Sequence, residues 1–143
     1  MKTLFIIIFS FTTAFLSLHS QEADSTKFQS LEPKAFRAKF LQENNPILID
    51  VREFFEFRKS RIKGAVNIPS LGGYDTSADT IKKESALFFY CYSGGRSKKA
   101  ALFFYNKGFR NLYSLKGGIT LWKKEGMPVV RKRLRKYSPS AAS

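Results

Sequence analysis

Past residue 30 the chain alternates short, wholly apolar runs with segments whose apolar residues recur every three or four positions. Ile47-Leu48-Ile49, followed by Asp50, reads as a buried parallel strand with a polar residue at its carboxyl end. Ala65 to Ile68, closed by Pro69, reads as a second strand, and Ala86 to Tyr90 and Leu112 to Leu115 read as two more. Helical patterns lie between them. Glu32 and Pro33 open a helix, with Pro33 at the favoured first position and Ala35, Phe36, Phe40 and Leu41 on its apolar face; Asn44-Asn45-Pro46 ends it. Phe54 to Lys59 predicts a short helix. Ser97 to Lys107 predicts a longer one, with Ala100, Ala101, Phe103 and Phe104 inward and Gly108 as its stop. Ile119 to Glu125 follows the Gly117-Gly118 turn and stops at Gly126, and Pro128-Val129-Val130 is an extended exit. Residues 70–84 are rich in Gly, Ser, Asp and Lys and carry too few apolar anchors to assign. Short strands alternating with helices predict an α/β domain with a parallel sheet.

The two ends differ from this middle. Lys2, the apolar and hydroxyl-rich run Leu4 to Leu18, and the small polar Ser17 to Ser20 give residues 1–20 the pattern of a cleaved secretory leader. The apolar run is shorter than the roughly 20 residues that cross a bilayer, so no stable membrane span is expected. Residues 21–29 read as a polar linker and 30–130 as the one domain that 143 residues allow. Residues 131–143 begin Arg131-Lys132-Arg133 and turn Ser/Ala-rich, the composition of a basic, solvated, disordered tail.

At 43% hydrophobic, 15% aromatic and 25% charged residues, the composition suits a packed core and argues against a disordered chain. The formal net charge is +14, and loss of the leader would remove Lys2 and no acid. Such a field favours small anions, acidic proteins or anionic surfaces; an exported protein would seldom meet nucleic acid, so no nucleic acid partner is expected. Cys91 is the single cysteine, so no internal disulfide can form in an oxidising compartment. The single histidine, His19, falls in the leader. A Cys-His pair, a Ser-His-Asp triad and a histidine metal site are thereby excluded from the mature domain, and neither metal nor cofactor is expected.

Candidate chemistry gathers at Cys91-Tyr92-Ser93-Gly94-Gly95-Arg96-Ser97, between a strand's carboxyl end and a helix start, where parallel sheets collect reacting groups. Gly94 and Gly95 let successive N–H groups converge, and the helix adds the positive end of its dipole, so an anion is stabilised there. A thiolate is such an anion. Arg96 adds a cation, so Cys91 can act as a nucleophile without a histidine. The competing reading is a buried structural cysteine followed by a capping turn.

From Leu31 to Val130 the chain resembles a rhodanese-like domain. The resemblance rests on Leu48 to Glu53, Glu56-Phe57, Ile62 to Pro69, the Cys91 to Ser97 loop, Gly108 to Leu112, and Leu115 to Ile119 with Trp122, Gly126 and Pro128. It implies a three-layer α/β sandwich and a single-domain sulfurtransferase. In such an enzyme Cys91 takes a sulfane sulfur from thiosulfate, a polysulfide or a persulfide and passes it to cyanide or a thiol. Carried onto this chain, Cys91 is nucleophile and persulfide carrier, the backbone of Tyr92, Ser93, Gly94, Gly95, Arg96 and Ser97 cradles the sulfur, and Arg96 attracts the anionic donor. Asp50 and Arg52 support the loop. Where the family often has Gly-His before this segment's Ile, the chain has Ser60-Arg61, and Lys63 replaces a proline. Two rivals accompany this reading. Related phosphatases and an arsenate reductase group have one residue more than the four, Tyr92 to Gly95, that separate Cys91 from Arg96 here. A persulfide-carrying or binding module that docks an acidic partner is the other.

Overall fold

A computed structural model describes residues 27–72 and 74–131. The expected leader, most of the linker, and the tail beyond Arg131 lie outside the described residues. Five strands, β1 (Gln29–Leu31), β2 (Ile47–Asp50), β3 (Val66–Asn67), β4 (Leu87–Tyr90) and β5 (Leu112–Leu115), form one sheet in the order β1-β5-β4-β2-β3. Every pairing is parallel. The helices are α1 (Pro33–Gln42), α2 (Phe54–Lys59), α3 (Tyr74–Thr80), α4 (Gly95–Asn106) and α5 (Gly118–Lys124).

Strand alternation sorts the apolar runs to two faces. Ile49, Val51, Leu87, Phe89 and Cys91 share a buried cluster with Ala78 of α3 and Ala100, Ala101 and Phe104 of α4. Leu48, Phe88, Tyr90, Tyr113 and Leu115 share the other with Phe36 of α1 and Ile119 and Trp122 of α5. Every residue of β4 is buried, which is why its sequence reads as an unbroken apolar run rather than an alternating one. The result is the three-layer α/β sandwich expected from the sequence.

Some elements depart from expectation. Ala35 and Leu41 are exposed rather than inward, so α1 packs chiefly through Phe36 and Phe40. β1 had no counterpart in the apolar pattern, because this edge strand, Gln-Ser-Leu, buries no residue fully. Within the unassigned 70–84 stretch the chain forms α3, held by buried Ala78 and by Tyr74, whose ring meets Phe103 and Phe104 of α4.

The connection from β4 leads through α4 to β5 on one side, while that from β2 leads through α2 to β3 on the other. The adjacent carboxyl ends of β4 and β2 therefore open a crevice of the kind in which parallel sheets place their ligands.

Candidate active site

Cys91 follows directly on β4 and keeps only 1% of its surface exposed. The chain then turns sharply: Gly94, at φ +101°, caps α4 in the left-handed conformation that a side chain would disfavour. That turn brings the Gly94 amide back to donate to the Cys91 Sγ at 3.1 Å, so the first N–H group of the expected cradle points at the sulfur. The Cys91 thiol faces the Ser97 hydroxyl at 3.7 Å. Ser97 in turn donates to the Gly94 carbonyl at 3.0 Å and accepts from the Ser114 hydroxyl at 2.9 Å. Ser97 and Ser114 are fully buried. A buried hydroxyl pair beside a thiol keeps the loop's polar atoms satisfied where no bulk water reaches.

The loop is held from behind by α5. Ile119 and Thr120 donate their amides to the carbonyls of Cys91 and Tyr92, at 2.8 and 3.1 Å. This close approach demands Gly118, at φ +58°, since a Cβ there would lie 2.5 Å from the Tyr92 carbonyl group and 2.6 Å from the Cys91 oxygen. The side chains of Tyr92 and Ser93 and the small Gly95 are exposed at the loop's outer surface. Of the residues expected to cradle sulfur, then, Gly94 and Ser97 meet Cys91 directly, and Tyr92 is fixed through its carbonyl.

Arg96 is engaged elsewhere. Its guanidinium makes two bonds to the Glu56 carboxylate, at 2.9 and 3.1 Å. Glu56 holds Arg96 firmly protonated, with a further contribution from Cys91, and Arg96 holds the Glu56 carboxyl below its ordinary range. Glu56 also accepts the Glu53 amide in a capping box that starts α2. Glu56 thus ties α2 to the start of α4, a role given only by the tertiary fold.

Asp50 and Arg52 lie buried at the end of β2. Arg52 donates to both Asp50 oxygens, through Nε at 3.0 and 3.2 Å and Nη2 at 2.6 Å, and Nη2 also reaches the Ser60 carbonyl at 2.6 Å. The 53–60 segment runs between them and Arg96, with the Ser60 carbonyl held by Arg52 and Glu56 bound to Arg96. Among the described residues, the hydrogen bonds of these two side chains join each other, the Arg52 amide and Ser60 rather than the loop. Tyr74 is the other residue that sequence reading missed: its side chain packs into the cluster that holds Cys91. The lone aromatic of an unassigned stretch was its only signal. Across the sheet, an apolar cavity of about 440 Å³ lined by Phe36, Phe40, Leu48 and Trp122 does not include Cys91 in its lining. Among the described residues no cluster of His, Cys, Asp and Glu could hold a metal ion.

Known proteins resemble this chain in sequence and in fold. The profile of the rhodanese-like domain matches residues 32–125. Over 101 residues the chain is 34% identical to the thiosulfate sulfurtransferase GlpE of Pseudomonas aeruginosa, covering 69% of this chain and 87% of that one. It is 31% identical over 106 residues to a tRNA uridine(34) hydroxylase of Pelagibacter ubique, covering 73% of this chain but only 34% of that protein. The fold superposes on a rhodanese-related protein from Thermoplasma volcanium with a TM-score of 0.63 at 26% identity, covering 73% of this chain and 99% of the other. The chain belongs to the family of rhodanese-like domain proteins.

Proposed function

We propose that this protein is a sulfurtransferase that moves a sulfane sulfur from thiosulfate, a polysulfide or a persulfide donor to a thiol or cyanide through a persulfide on Cys91. The observation that carries the reading is the Gly94 amide aimed at the Cys91 Sγ from the start of α4. A donor pointing at sulfur, backed by a helix dipole, stabilises a sulfur anion before and after transfer. The name of the Pseudomonas relative supports the same chemistry. Arg96 favours it over phosphate chemistry, since a guanidinium already bound twice by Glu56 is not free to grip a tetrahedral oxyanion bidentately. The test is intact-protein mass spectrometry after exposure to thiosulfate. One added sulfur that maps to Cys91 is expected, and an unchanged mass with thiosulfate and with polysulfide would sink the proposal.

A second reading, a carrier that serves one acidic partner, draws on a different observation. Phe54, Phe55, Leu71 and Tyr92 are all exposed, on the loop and on segments that follow β2 and β3, in a chain of net charge +14. Exposed apolar side chains in a basic field suit a partner with an acidic rim. Fast turnover with small thiols would favour the enzyme, whereas slow turnover rescued by one acidic protein would favour the carrier. We propose further that the protein is exported, on the strength of residues 1–20. Cell fractionation should find a mature chain starting near Gln21, and a cytoplasmic product that keeps Met1 would refute export.

A further inference from the structure

Tyr74 presents a puzzle that the loop does not explain. Its hydroxyl oxygen is buried and has no hydrogen-bond partner among the described residues. A polar group so placed costs on the order of 1–3 kcal/mol, a burden seldom kept without a use. The ring is fixed against Phe103 and Phe104 of α4, with centroids 5.4 and 6.0 Å away, and sits in the cluster that contains Cys91. Burial pushes its phenol up to about 12, Cys91 and Glu53 push the same way, and Arg96 opposes them. The phenol therefore keeps its proton throughout the neutral range, as a donor packed against the same buried cluster as the reacting sulfur.

We infer that the Tyr74 hydroxyl is the hydrogen-bond donor that receives the sulfane sulfur once it is loaded on Cys91. The inference rests on the sulfur-carrier reading above. In loading from thiosulfate, the Cys91 thiolate forms a new S–S bond to the outer sulfur, and the bond from that sulfur to the sulfonate group breaks. The electron pair leaves with sulfite, and the persulfide retains one negative charge. The added atom stands one S–S bond, about 2.05 Å, beyond the Sγ that Gly94 already serves. It brings an anion into a buried site with a donor to spare. The Gly94 amide holds the inner sulfur, and Tyr74 holds the outer one.

The experiment compares the full-length protein with Tyr74→Phe, which keeps the ring and deletes only the hydroxyl. The sulfur-free variant should fold and melt no lower than the parent, because an unpartnered buried hydroxyl has gone. After thiosulfate treatment, the fraction of Cys91 carrying sulfur at a fixed sulfite concentration, read by mass spectrometry, should fall about tenfold in the variant. Loading should raise the parent's Tm more than the variant's. A chain carrying ring-fluorinated tyrosine should show the residue 74 fluorine resonance, assigned by its absence in Tyr74→Phe, shifting on loading. If the parent takes up no sulfur at Cys91, the carrier reading fails and this one with it. If the parent loads normally and the variant matches it in loading and in the Tm increment, Tyr74 is a packing residue and only this inference is overturned.

Discussion

Replacing Gly118 by alanine tests whether α5 sets the shape of the cysteine loop. The left-handed conformation at φ +58° costs an L-residue about 1–2 kcal/mol by itself. The new Cβ would also stand 2.5 Å from the Tyr92 carbonyl carbon and oxygen and 2.6 Å from the Cys91 oxygen, roughly 1 Å inside a comfortable contact. The neighbouring atoms are backbone, so no flexible side chain can swing aside. Relief requires α5 to withdraw, stretching the Ile119 and Thr120 amide bonds to Cys91 and Tyr92, each worth about 1 kcal/mol. The total comes to about 3–4 kcal/mol. Gly126→Ala is the control, since Gly126 has the same left-handed backbone, at φ +73°, with nothing within 4 Å of a new Cβ. It should cost only the conformational part, about 1–2 kcal/mol. Urea unfolding of both full-length variants measures the difference, which should be about 2 kcal/mol, with iodoacetamide alkylation of Cys91 altered in Gly118→Ala alone. Unfolding energies equal to within about 0.5 kcal/mol would show that the loop and α5 do not constrain each other as the backbone contacts require.

Cys91→Ser should give a folded protein without sulfur transfer, and residual thiosulfate turnover above a few per cent would remove Cys91 from its assigned role. Asp50→Ala should destabilise the domain by about 3–5 kcal/mol in chemical unfolding, because it leaves the buried Arg52 charge without its carboxylate; a loss under about 1 kcal/mol would contradict the buried pair. Arg96 depresses the Glu56 carboxyl, so the pair's stabilisation is complete above the unfolded value of 4.5 and fades as pH falls through the lower, folded value. Glu56→Gln should flatten that acid-side loss in thermal melts from pH 6 down to about 3, and an unchanged profile would assign the loss to other carboxylates.

The sequence spoke most clearly where one local pattern decides an element. Phe54–Lys59 and Leu112–Leu115 occur with the boundaries their patterns predict, and Cys91 stands at the strand end that the apolar run from Ala86 implied. Glycines placed the turn after it, because few other residues accept the backbone found at Gly94. The rest depends on partners distant along the chain. Glu56 and Arg96 are brought together only by the arrangement of α2 and α4, and nothing in either local segment marks the match. β1 takes its place by pairing with β5, since none of its own residues is fully buried. Tyr74 stands in a stretch with no period to read, and what singles it out is a buried oxygen without a hydrogen-bond partner among the described residues, a property of the folded state alone.

Both arginines of the expected site are matched by carboxylates, Arg52 by Asp50 and Arg96 by Glu56. Each pair brings little net charge to the loop. The pull on an anionic donor must then divide between two sources of different range. The excess of lysine and arginine over the whole chain acts at a distance and is screened over about 8 Å at physiological salt. The Gly94 amide and the start of α4 act in contact, on a sulfur that keeps only 1% of its surface exposed. Added salt should therefore slow the capture of thiosulfate while leaving the lifetime of the loaded persulfide nearly unchanged, whereas Tyr74→Phe should shorten that lifetime at any ionic strength. Stopped-flow loading and persulfide decay, followed between low and high salt, separate the two. A persulfide lifetime that falls with salt in parallel with the capture rate would mean that long-range charge, and not the backbone of the loop, holds the transferred sulfur.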